Sequence, residues 1–128
     1  MTGAGLDSER RMRAIVVRAA RSWRMARDLG APIQPSLYST LERDDCGVLA
    51  PAFDSMMTLC ERCLRRPLCA GCPMARTADE SLLGDLVADP DGAEALVYCA
   101  ADPQPLAGAF VCALRSMRLM LRDTLDAA

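Results

Sequence analysis

Apolar residues return at three- and four-residue steps through most of the chain, and that spacing predicts helices. Between Ser8 and Leu29, the positions Met12, Ile15, Val16, Ala19, Trp23 and Ala26 fall on one face of a 3.6-residue period. Leu29-Gly30-Ala31-Pro32 supplies the stop, because glycine adopts a left-handed cap and proline cannot continue the helix. A short helix is expected over Ser36 to Arg43, ahead of the polar loop Asp44-Asp45-Cys46-Gly47. Pro51 suits the first turn of a second long helix, whose stripe is Phe53, Met56, Met57, Cys60 and Leu64 and whose end is expected near Arg66. Thr77-Ala78-Asp79-Glu80 has the spacing of a capping box and predicts a helix running to about Ala88. Asp89-Pro90-Asp91-Gly92 reads as a turn before a further helix over Ala93 to Ala100. The last helix, opening after Pro103 or Pro105, aligns Phe110, Leu114, Met117 and Leu121, with Arg115, Arg118 and Arg122 on another face. No stretch alternates polar and apolar residues long enough for a strand. The expected fold is all-α: a compact bundle of five to six short helices in a single domain over 1–128, with residues 1–7 as a flexible N-terminus.

Composition narrows this picture. A chain of 128 residues can bury one real core, and with only five aromatic residues that core must be built from Leu, Val, Ala and Met. No apolar run reaches the length of a membrane span, and MTGAGLDSERRMR leads into charge rather than into an export segment, so a cytoplasmic location is expected. Seven cysteines, an odd number, then point to reduced thiols rather than a disulfide framework. Histidine and lysine are absent, and all fifteen basic residues are arginine. Imidazole catalysis is thereby excluded, and any metal centre must rest on thiolates, with a carboxylate at most. Neither a glycine-rich phosphate loop nor a recognisable carboxylate pair supports a conventional enzyme.

The densest chemistry lies in Leu59 to Met74, where Cys60, Cys63, Cys69 and Cys72 make the pattern C-x2-C-x5-C-x2-C. Two such pairs a short linker apart can bring four sulfurs to one point, and thiolate suits zinc or an iron-sulfur cluster. Arg62, Arg65, Arg66 and Arg76 lie near enough in sequence to offset the surplus negative charge, and Gly71 permits a tight turn between Cys69 and Cys72. Cys46 is the reserve ligand. The competing reading is burial: Cys60 shares a stripe with Phe53, Met56, Met57 and Leu64, and cysteine is among the most buried residue types. Disulfide exchange at Cys60-x2-Cys63 is a third reading, although Cys60 lies inside a predicted helix, unlike the strand-to-helix setting of thioredoxin.

Cys60-x2-Cys63-x5-Cys69, with Cys46 upstream, resembles the cysteine order of the WhiB-like family, small regulators that bind a [4Fe-4S] cluster. The likeness covers CERCLRRPLC, about ten residues. The glycine-rich turn with tryptophan characteristic of that family is missing, the only tryptophan being Trp23, and Cys72 is extra. The resemblance implies a cluster on these cysteines without implying a transcriptional role. A second run, from Arg65 to Leu83, resembles small helical bacterial proteins of unknown function and implies only a compact helical fold.

Charge is divided unevenly. Residues 1–30 carry seven arginines against three carboxylates, a net of +4, while residues 31–128 carry −6. Arg11, Arg18, Arg21 and Arg24 are the candidate partner-binding face of the first helix. Nucleic acid is a possible but less favoured partner, since the whole chain has a net charge of −2 and a pI near 5.1. Two functions follow: a small regulatory or structural protein holding an iron-sulfur cluster or zinc on Cys60, Cys63, Cys69 and Cys72, or a metal-free helical module that offers its arginine face to another protein.

Overall fold

In the computed structural model, which describes residues 2–92 and 106–127, five α-helices pack as one all-α bundle. They are α1 (Thr2–Leu29), α2 (Ile33–Leu41), α3 (Ala50–Leu64), α4 (Ala78–Ala88) and α5 (Ala107–Ala127). Two single 3₁₀ turns, Glu42–Asp44 and Gly47–Leu49, join α2 to α3. The helix expected over Ala93 to Ala100 lies outside the described residues, as does Cys99.

The first helix opens at Thr2, earlier than the apolar stripe alone indicates, so residues expected to form a flexible N-terminus belong to its first turns. Its predicted stripe is its buried stripe: Met12, Ile15, Val16, Ala19, Trp23 and Ala26 are all inside. Gly30, at φ +68°, takes the left-handed conformation that ends the helix, and the Ala31 amide donates to the Ala26 carbonyl at 2.8 Å. α1 packs mainly on α4 and α2, while α3 packs mainly on α5. Trp23 sits where α1, α2 and α3 meet. Its indole N–H donates to Asp54 of α3 at 2.9 Å, and Gln34 of α2 donates to the other oxygen of the same carboxylate at 3.0 Å.

Between α2 and α3 the chain turns in little space. A Cβ on Gly47 would lie 2.5 Å from a Glu42 carboxylate oxygen and 2.8 Å from the Tyr38 ring, so only glycine fits without displacing them. The Gly47 amide donates to that same Glu42 oxygen. α3 starts with Pro51 in its first turn and ends at Arg65, whose φ of 57° puts a non-glycine residue in the left-handed cap. α4 starts at the capping box anticipated from its sequence: the Glu80 amide donates to Thr77 Oγ1 at 3.1 Å, and the Glu80 carboxylate accepts from the Thr77 amide at 2.7 Å. No helix among the described residues is long and apolar enough to cross a membrane.

Candidate functional site

The four clustered cysteines divide into two unlike pairs. Cys60 is buried and Cys63 half-buried in the last turns of α3, where helical periodicity holds them against the core. Burial first, and the nearby Asp79 carboxylate second, push the Cys60 thiol up to about 12; burial raises Cys63 as well. Both are neutral thiols at physiological pH. Cys69 and Cys72 instead lie exposed on the connection between α3 and α4.

Gly71 takes φ +89°, yet residues 67–72 form neither a turn nor a bend, so the tight knuckle expected between Cys69 and Cys72 is not the conformation here. The reserve ligand Cys46 precedes α3, whereas Cys60 and Cys63 sit near its far end, roughly 15 Å of helical rise away. Cys46 is buried, its thiol directed at the Asp44 carbonyl at 3.2 Å, and burial is the main cause that raises it. Among the described residues, no three Cys, Asp or Glu side chains come together in a group that could hold a metal ion.

Carboxylates organise the segment in this structure. Glu80 is 0% exposed. One of its oxygens accepts from the amides of the loop at Gly71 (2.9 Å) and the other from Thr77 (2.7 Å), while Arg21 of α1 donates to both, at 2.6 and 3.2 Å. Asp79 takes the amide of Cys69 at 2.7 Å and a two-pronged contact from Arg66 at 2.6 and 2.7 Å. Glu61 takes the Leu68 amide at 2.6 Å and Arg24 at 3.0 Å. The Thr77 hydroxyl, meanwhile, donates to the Cys69 carbonyl at 2.7 Å.

These contacts set the acidity of both residues at the start of α4. Arg66 is the main reason that Asp79 is held below the usual carboxylate range, against the opposing effect of burial. Burial alone would push Glu80 up, but Arg21 and the Gly71 and Thr77 amides outweigh it and the net direction is down. Arg66, near enough to the cysteines in sequence to balance thiolate charge, makes its two-pronged contact with Asp79. Sequence reasoning identified Glu80 only as a cap and passed over Glu61 and Asp79. The available signal was the density of arginine around three carboxylates, without any indication of which would meet.

The arginine face is mixed in the same way. Arg18 pairs with Asp44 at 2.5 Å, Arg21 with Glu80, and Arg24 with Asp28 at 2.9 Å and with Glu61. Arg11 is exposed and makes no ion pair among the described residues. Pairing leaves Arg18 and Arg21 about two-fifths exposed, at 42% and 40% of their side chains, so each keeps donors toward solvent.

Comparison with known protein families, curated proteins and solved structures finds no match to this chain.

Proposed function

We propose that this protein is a helical interaction module that receives another protein on the outer ridge of α1. The observation that carries the reading is one exposed stripe. Arg11, Arg18, Met25 and Leu29 recur at seven-, seven- and four-residue steps, which places them on one face of the helix. All four are exposed, Met25 to 62% and Leu29 to 75%, while α2, α4 and α5 pack on other parts of α1. The stripe is basic toward its N-terminal end and apolar toward its C-terminal end.

Such a ridge suits an amphipathic segment with acidic residues at one end and apolar residues at the other. Large apolar side chains would supply buried area on docking, and arginine would supply steering and orientation. The net charge of +4 over residues 1–30 favours an acidic partner for the same reason.

The test is a photo-crosslinking amino acid placed at Met25 in the native host, with Leu119 of α5, 65% exposed, as a control site of similar accessibility. A discrete protein adduct at Met25, absent at Leu119 and reduced by Arg11→Glu with Arg18→Glu, is the expected result. Equal labelling at both sites, or adducts indifferent to the arginine changes, would remove the ridge as the docking surface.

A further inference from the structure

A second basic surface lies off that ridge, where the C-terminal half of α1 meets the end of α3. Arg24 and Arg27 from α1, Arg62 from α3 and Arg66 from the following connection surround a cleft of about 310 Å³. Thr58, Glu61 and Pro67 complete its lining. Four guanidinium groups line the cleft with the Glu61 carboxylate, and Asp28 and Asp79 pair with Arg24 and Arg66 from outside the lining, which leaves a formal surplus of one positive charge.

Glu61 organises this cleft more than it neutralises it. Its two oxygens hold Arg24 at 3.0 Å and Arg27 at 3.4 Å while also taking the Leu68 amide. Trp23 supports both arginines from below, its ring centroid 4.7 Å from the Arg27 guanidinium carbon and 5.7 Å from that of Arg24. Asp79 anchors Arg66 in turn, leaving 49% of its side chain exposed. Arg62 is exposed and makes no ion pair among the described residues. Three of the four cations are thus pre-positioned by contacts within the fold, and the fourth stands unengaged at the rim.

We infer that this cleft is a binding site for the dianionic phosphate of a phosphate monoester. Arginine offers several N–H donors in a fixed plane that matches phosphate oxygens, and a phosphate dianion brings those donors more charge and more acceptor oxygens than a single carboxylate does. Two sources share that chemistry: a small phosphorylated molecule, and a phosphorylated side chain carried by a protein. The site does not depend on the α1 ridge, because Arg24 and Arg27 lie off the Arg11–Leu29 stripe.

The experiment is calorimetric titration of the full chain at low ionic strength, with glycerol phosphate, a phosphoserine peptide and acetate as probes. Saturable binding of both phosphate probes is expected, with acetate at least about tenfold weaker. Binding should weaken between about pH 7.5 and pH 5.5, because a phosphate monoester loses its second charge near pH 6. Arg62→Glu should weaken binding about tenfold or more, whereas Arg10→Glu, elsewhere on α1, should change it less than about threefold. Arg27→Gln provides a second cleft variant, and circular dichroism of each variant confirms that it is folded.

Stronger binding of the peptide than of glycerol phosphate would assign the site to a protein-borne phosphate, and equal binding to a small molecule. Absence of saturable binding, acetate as strong as phosphate, or equal losses in Arg62→Glu and Arg10→Glu would overturn the site and leave only diffuse positive charge.

Discussion

The two halves of the cysteine segment are held by different forces. Cys60 and Cys63 belong to a helix whose apolar face is buried, so their positions follow from periodicity and packing. Cys69 and Cys72 belong to an irregular stretch whose order comes from amides bound to Asp79 and Glu80. A helix satisfies its own backbone. The connection after α3 cannot, and so it borrows carboxylates from the start of α4, which are kept charged by arginines of α1 and of the connection itself. Identical residue types at identical C-x2-C spacing therefore end in opposite environments, one pair inside and the other on the surface.

That contrast can be broken most forcefully at Glu80. Glu80→Ala removes the acceptor for the Gly71 and Thr77 amides together with the partner of Arg21, and should destabilise the fold by about 2–4 kcal/mol. Chemical denaturation reads the loss, and hydrogen exchange should quicken at Gly71 and Thr77 before it does in α5. Next in size is Cys60→Ser, which places a hydroxyl in an apolar core and should cost about 1–3 kcal/mol by thermal or urea unfolding. A neutral result there would mean that the α3 stripe tolerates polarity and that packing does not define this half.

Acid should act on the carboxylate-bound half. Asp79 and Glu80 have pKa values in the fold below those of the unfolded chain, so their stabilisation is fully present above the ordinary carboxylate range and is lost as pH falls through the lowered values. Urea midpoints should therefore be flat from about pH 7 to 5 and drop below about pH 4, with a shallower drop in Glu80→Gln. An unchanged pH profile in that variant would remove Glu80 from the acid response.

The smallest expected change is Cys69→Ser, within about 0.5 kcal/mol of the parent, because the loop is held there through the backbone amide and carbonyl rather than through sulfur. Elemental analysis of anaerobically purified parent and variant sharpens this point. Bound iron or zinc that disappears in Cys69→Ser, with a large loss of stability, would restore the thiolate centre to which the C-x2-C-x5-C-x2-C spacing points.

Much of the architecture was legible in short-range pattern. The buried faces of α1 and α3, the glycine cap at Gly30 and the capping box at Thr77 all rest on residues within about four positions of each other, where helical geometry alone decides who meets. The beginning of α1 was not, because Thr2 to Asp7 carry no apolar stripe to mark them as helical. Cys60 was legible as a core residue for the same periodic reason that made it ambiguous as a ligand.

By itself, then, the amino-acid order determined an all-helical chain with a Leu, Met, Val and Ala core, no imidazole chemistry and a strongly basic first helix. Only the tertiary structure decided which arginine meets which carboxylate. Arg18 reaches Asp44 across 26 positions, Arg24 reaches Glu61 across 37, and Arg21 reaches Glu80 across 59. Charge acts through distance in space, and sequence separation says little about that distance once helices have packed. Those long-range pairings tie α1 to the turn after α2, to α3 and to α4, and divide the first helix between scaffold and open surface.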